Sequence, residues 1–160
     1  GYHFPARSAT IISPEEHADI VLQAGLIGTK VSGLSAQETL SYLYGTPEGF
    51  RLFTGSDATF ASVVHGGGYG AISGISSAYT LQFTSMRDAL RRGDIEAEEH
   101  AQRDIDEAVA SVDGANFALV KHALALQGLD VGSVRVALDA PSDTQLKRVA
   151  ETVKRFQMLK

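Results

Sequence analysis

The chain has 160 residues, 44% of them hydrophobic and 21% charged, with 14 Lys and Arg against 19 Asp and Glu for a net charge of −5. That is the length of one ordinary domain with enough apolar side chain for a core, which excludes a disordered or a fibrous chain. No run approaches the roughly 20 apolar residues of a membrane span, and no leader-like segment opens the chain. The absence of cysteine excludes disulfides and thiolate metal sites and fits the cytoplasm.

In chain order, Tyr2-His3-Phe4-Pro5 reads as the end of a strand without its beginning. Ser13-Pro14-Glu15-Glu16 is a helix start: Ser13 can accept from the third helical N–H while Glu16 reaches back, and proline suits the first helical position. That helix should run to about Gln23 and stop at Gly25. Leu26 to Val31 is a short apolar run closed by Ser32-Gly33, a buried strand. Ser35 and Glu38 form a second capping box, for a helix to about Tyr44. Arg51 to Thr54 is another strand. Asp57 is placed to cap a short helix through Val64, which three glycines, Gly66 to Gly68, bring to an end.

Gly70 to Ile75 reads as a fourth strand. From Thr80 the period becomes helical, with helices at about Leu81 to Arg92, Asp94 to Val112, Phe117 to Gln127 and Asp143 to Leu159. Ser142 and Gln145 form a weaker capping box for the last. Alternating strands and helices with short links predict a parallel sheet with right-handed crossovers. The chain is too short for an eight-stranded βα barrel of about 250 residues. A small open α/β sheet and half of a barrel both fit.

Several chemistries carry little weight. The basic pairs Arg91-Arg92, Lys147-Arg148 and Lys154-Arg155 are dispersed on helical patterns rather than gathered in a stripe, so nucleic acid is not an expected partner. The five histidines lack the spacing of a zinc helix. His100 and Asp104, one turn apart, sit on a face rich in acidic residues that reads as solvated surface. The glycines from Gly66 to Gly74 precede a strand instead of joining strand to helix, which weakens a phosphate-loop reading.

Lys30 stands out. It ends an apolar strand, and alternation puts Leu26, Gly28 and Lys30 on one face. A lysine desolvated on an inward face gives up its proton more readily, and a neutral lysine amine is a nucleophile toward carbonyls that forms Schiff bases. The other reading is a strand-end lysine that reaches out to solvent along its own stem.

The segments around Lys30 resemble the dihydrodipicolinate synthase/N-acetylneuraminate lyase family. Tyr2-His3-Phe4-Pro5-Ala6-Arg7-Ser8-Ala9 is similar to its Tyr-Asn-x-Pro-x-Arg-Thr-Gly stretch, and Gly28-Thr29-Lys30 to its Gly-x-Lys Schiff-base strand. Phe53-Thr54-Gly55-Ser56-Asp57 resembles its Ser/Thr-Gly-x-Asp strand end, and Gly66 to Gly74, ending Gly70-Ala71-Ile72-Ser73-Gly74, is similar to its Gly-Ala-x-Gly-x-Ile-Ser strand. Asn116 to Lys121, then Leu126-Gln127-Gly128-Leu129 and Gly132-Ser133-Val134-Arg135, follow in family order over nearly the whole chain. The sequence departs from the pattern at His3 for asparagine, at Val31-Ser32-Gly33 and at Val136-Ala137, which leaves the branch open.

The resemblance implies an α/β chain of the (β/α)8 TIM-barrel class. Residues 1–80 would be strands five to eight, and residues 81–160 the last barrel helix with the C-terminal helices. It implies class I aldolase chemistry on pyruvate or another 2-oxo acid plus an aldehyde, with no cofactor and no metal. Lys30 would form the Schiff base and Tyr2 would relay protons. Arg7 would grip an acceptor carboxylate or make a structural ion pair. Gly55, Asp57, Ile72 and Ser73 would line the substrate site. It implies a cytoplasmic homo-oligomer without nucleic-acid or membrane partners. Two other readings stay open: a non-catalytic half-barrel that needs a partner to cover its apolar edges, and an unrelated α/β domain for a phosphorylated ligand.

Overall fold

A computed structural model describes residues 1–135 and 137–158. Val136, Leu159 and Lys160 lie outside them, and with them part of the Val136-Ala137 departure and the expected end of the last helix at Leu159. The chain forms two compact units, Gly1–Ser73 and Gly74–Lys160.

The first unit is a four-stranded parallel sheet in the order β1 (Tyr2–His3), β2 (Gly28–Val31), β3 (Arg51–Thr54), β4 (Gly70–Ala71). Tyr2 lies opposite Lys30, Lys30 opposite Phe53, and Phe53 opposite Gly70. The connections carry α1 (Pro5–Ser8), α2 (Pro14–Ala24), α3 (Ala36–Ser41) and α4 (Phe60–His65). Both capping boxes form: Ser13 accepts from the Glu16 N–H while Glu16 accepts from that of Ser13, and Ser35 and Glu38 do the same. Gly25, left-handed at φ 63°, ends α2, a conformation that costs glycine nothing.

Burial alternates along the strands. Thr29 and Val31 on β2, with Leu52 and Thr54 on β3, are buried against the helices, while Lys30 and Phe53 face the other way. Val31, Leu52 and Tyr42 form the centre of this core, with Leu34, Leu40 and Leu43 packed on it. Full burial of one such side chain contributes about 1.5–3 kcal/mol.

The second unit is helical: α5 (Thr80–Arg92), α6 (Ile95–Ser111), α7 (Phe117–Leu126) and α8 (Asp143–Met158). α5 packs on α6, and α8 packs on both α6 and α7. Met86 and Ala89 of α5, Ala101, Ile105 and Ala108 of α6, Leu119 and Ala123 of α7 and Val149 of α8 are buried. The Tyr79 phenol reaches the Ser111 hydroxyl at 2.8 Å. Ser142 and Gln145 form the expected box ahead of α8. Arg148 pairs with Asp113, and Arg155 takes both Asp104 and Glu107. Asp104 beside His100 therefore serves a helix-to-helix ion pair. Among the described residues no helix is long and apolar enough to cross a membrane.

Three local expectations need correction. Asp57 does not cap a helix: it opens a single 3₁₀ turn, Asp57–Thr59, whose N-cap Ser56 makes no side-chain bond, and its carboxyl bonds to Ser73 instead. The fourth strand is only Gly70–Ala71, because Gly74 already has helical dihedrals and starts a 3₁₀ turn, Ile75–Ser77. α3 ends at Ser41 rather than Tyr44, and Tyr42, Leu43 and Tyr44 tighten into three-residue bonds. The one-turn α1 was not foreseen. The three glycines close α4 tightly, since a Cβ on Gly66 would meet the Leu40 side chain and one on Gly68 the Val63 carbonyl.

Candidate functional site

The helix-free face of the sheet carries Tyr2, Lys30, Arg51, Phe53 and the start of the β4 exit. Strand alternation puts them together: with Thr29 and Val31 turned to the helices, Lys30 must point the other way. The register then sets its neighbours. Tyr2 lies directly across on β1, and its ring stands 4.9 Å from Lys30 Nζ, within the range of a cation–π contact. Ser32, two residues beyond Lys30, donates from Oγ to Tyr2 Oη at 3.4 Å.

Gly55 makes room for this group. A Cβ at that position would collide with Ser32 Oγ and come within 2.7 Å of Lys30 Cε. Glycine is required here by the close approach of two side chains, not by its dihedrals. Lys30 also borders an open hollow of about 240 Å³ lined by Gly28, Arg51, Phe53 and Ile72 among others. Arg51 lies over the Tyr69 ring at 5.0 Å, and Phe53 meets the same ring edge-on at 5.4 Å.

Asp57 and Ser73 sit at the C-terminal ends of β3 and β4 and bond to each other. Burial pushes the Asp57 carboxyl above its ordinary range, while the Ser73 bond and the Lys30 charge act in the opposite direction. The structure thus brings Lys30, Tyr2, Gly55 and Ile72 together, with the Asp57–Ser73 pair within the field of Lys30. Arg7 does not join them through any described contact; it is exposed on the last turn of α1.

Ser32 was not among the expected site residues. Period two from Lys30 puts it on the lysine's own face, and that signal was available in the sequence. Its burial was not, because it depends on Gly55, just beyond the end of β3.

The chemistry open to such a group is that of an amine beside a phenol at the C-terminal end of parallel strands. In an open parallel sheet or barrel this is the end where ligands bind. Among the described residues no three His, Asp or Glu side chains are grouped so as to hold a metal ion.

Comparison with known proteins bears on this group. Residues 2–156 match the sequence model of the Dihydrodipicolinate synthetase family. A 4-hydroxy-tetrahydrodipicolinate synthase of Listeria welshimeri is 28% identical over 154 residues, covering 94% of this chain and 53% of that protein. One from Shewanella pealeana is 34% identical over 141 residues, covering 86% of this chain and 47% of that protein. Among solved structures, a sialic acid aldolase of Ruminococcus gnavus superposes with a TM-score of 0.87 at 21% identity, covering 99% of this chain and 55% of the other. The chain spans about half the length of the relatives it matches.

Proposed function

The chain belongs to the Dihydrodipicolinate synthetase family, and from that premise we propose that it is the lysine-bearing half of a pyruvate-dependent aldol lyase or condensing enzyme. In this reading residues 1–80 are strands five to eight of a (β/α)8 barrel, and residues 81–160 are its last helix and C-terminal helices. The lyase character follows the relatives; the chemistry is assigned residue by residue.

The neutral Lys30 amine attacks the keto carbon of pyruvate or another 2-oxo acid. Loss of water from the carbinolamine leaves an iminium, which withdraws electrons from the neighbouring carbon. That carbon gives up a proton to form an enamine, and the enamine adds to an aldehyde; the reverse sequence cleaves the bond. Tyr2 moves protons at the substrate oxygen, with Ser32 holding its phenol. Gly55 keeps the lysine stem free, Ile72 borders the reacting carbon, and Asp57 with Ser73 reads the polar groups of the second substrate. Arg7 takes an acceptor carboxylate. No cofactor or metal enters the scheme, and the working form is a cytoplasmic homo-oligomer.

The observation that carries this reading is the Tyr2 ring 4.9 Å from Lys30 Nζ, across the register that the sheet imposes. The test is borohydride reduction in the presence of pyruvate, read by peptide mass spectrometry. A pyruvyl adduct on Lys30, absent without borohydride, is the expected result. Adducts spread over surface lysines, with none enriched at Lys30, would overturn it.

A second reading is favoured by one observation. The lysine face is bare: Tyr69 and Ile72 are 61% and 45% exposed, apolar surface beside an open sheet edge. In that reading the chain is a non-catalytic half-barrel that a partner half must cover. Trapping on the chain alone and again with a relative's first half added separates the two. An adduct in either arm supports the catalytic reading, and none in both supports the second.

A further inference from the structure

The second unit holds a cavity that the proposed chemistry does not use. It measures about 180 Å³, several times the ~30 Å³ that one water takes up in the liquid. Leu124 of α7 with Val153 and Phe156 of α8 form apolar walls, and the start of α5, Thr80, Leu81 and Gln82, forms another side. Among the described residues no acidic or basic side chain lines it.

The residues ahead of α5 explain why this end of the helix is left open. The other long helices begin with a side chain that accepts from an N–H of the first turn: Ser13, Asp94, Asn116 and Ser142. Ahead of α5 stands Tyr79, which makes no such cap. Its phenol is engaged elsewhere. Ser111 Oγ donates to the Ala108 carbonyl, so the Tyr79 hydroxyl donates to Ser111 at 2.8 Å. The Thr80 hydroxyl turns back to the Ser76 carbonyl at 2.8 Å. The N–H groups of Thr80 and Leu81 therefore meet no acceptor among the described residues, and the first turn carries no acidic residue. Such open N–H groups give a helix start a partial positive charge.

A second, independent observation lies beside them. Gln82 is 9% exposed and lines the same cavity, and its carboxamide makes no hydrogen bond to any described residue. Burying an amide without a partner is costly. Gln127 is spent by contrast. Its two amide hydrogens go to the Ala78 and Ala123 carbonyls at 2.8 and 3.0 Å, which ties the end of α7 to the chain just ahead of α5.

We propose that this cavity binds a small carboxylate with a short apolar tail: the carboxylate takes the Thr80 and Leu81 N–H groups and the Gln82 carboxamide, and the tail lies against Leu124, Val153 and Phe156. The charge follows from the free donors, since a helix start with open N–H groups favours an anion. The tail follows from the walls. An ammonium on the same ligand would have no charged side chain to pair with, which sets a zwitterion aside. The site lies wholly within the second unit and goes beyond the lysine chemistry.

The test is a titration of the ¹⁵N-labelled whole chain with isobutyrate at constant ionic strength, read by the amide NMR signals. The expected result is saturating shifts at the Thr80 and Leu81 backbone amides and at the Gln82 side-chain amide. Isobutyramide has the same shape without the charge and should bind at least about tenfold more weakly. Gln82→Met keeps the length and the helix propensity and should weaken isobutyrate binding about tenfold. Shifts that never saturate, or that gather on surface lysines and arginines, would overturn the site. Equal affinity for isobutyramide would overturn the carboxylate, and unchanged binding in Gln82→Met would overturn the role of Gln82. Should that variant fail to fold by circular dichroism, the two titrations of the unsubstituted chain decide. Lys30 takes no part, so this outcome and that of pyruvate trapping are independent.

Discussion

The two faces of the sheet are built from the same four strands and do opposite things. The helix side is closed: Val31 and Leu52 have no exposed surface, and its polar members, His3, Thr29 and His17, are hydrogen-bonded within it. The lysine side is open and holds two cations, Lys30 and Arg51, among aromatic rings. The difference teaches that stability and chemistry are separated by one residue of strand period. Thr29 belongs to the core and Lys30 to the site.

The sharpest way to break this comparison is a substitution on each face. Lys30→Ala is expected to abolish the borohydride-trapped pyruvyl adduct and leave the denaturation midpoint nearly unchanged, because the side chain is only partly buried. Leu52→Ala is expected to do the reverse in kind. It should cost about 2–5 kcal/mol in chemical denaturation while Lys30 in the remaining folded fraction still forms the adduct. Equal stability losses in the two variants would mean that the faces are not separate.

Gly55→Ala tests the point where the faces meet. The new methyl must displace Ser32 and the Lys30 stem. Overpacking of this kind costs about 1–3 kcal/mol, and the displaced lysine should trap pyruvate at least about tenfold more slowly, a barrier change of roughly 1.4 kcal/mol. Ser32→Ala introduced into that variant should recover part of both losses. No recovery would show that Ser32 is not what the methyl strikes.

Acid separates the faces by another route. His3 and His17 are depressed by burial, so the unfolded chain binds more protons than the folded one between the folded and unfolded values. Stability therefore rises with pH in that window. The contribution is fully present above the ordinary histidine value of about 6.5 and is lost as pH falls through the folded values. Denaturation midpoints at pH 8, 6.5 and 5 should fall in that order. In His17→Gln the fall should be shallower. A flat profile from pH 8 to pH 5 would contradict the burial of both rings as neutral groups.

What the sequence made legible was local. The capping boxes at Ser13 and Ser35 form within four consecutive residues and survive intact, and so does the glycine stop at Gly25. The strand from Arg51 to Thr54 and the four long helices follow from period alone. The family resemblance supplied Lys30 and Tyr2 as partners, and the register then places them opposite each other. The misses were non-local. Asp57 fits a cap by composition, but Ser73, sixteen positions on, competes for its carboxyl and wins. His3 and His17 read as two isolated histidines, since their partners Tyr42 and Thr29 come from other elements. The fourth strand is shorter than its apolar run because Ile72 bonds once to Thr54 and the chain then turns at Gly74.

The smallest expected effect is the most local one. Ser13→Ala removes the side-chain acceptor for the Glu16 N–H at the start of α2 but leaves the Glu16 carboxylate on the Ser13 N–H. Loss of such a cap costs about 1 kcal/mol. α2 buries His17, Ala18 and Val21, and His17 meets Thr29 of β2 on the closed side of the sheet. A loss of that size should lower the denaturation midpoint at pH 8 and leave the adduct yield unchanged, because Lys30 faces the other side of the sheet. A cap substitution that instead weakened trapping at pH 8 would show that α2 reaches Lys30 by a path other than His17 and Thr29.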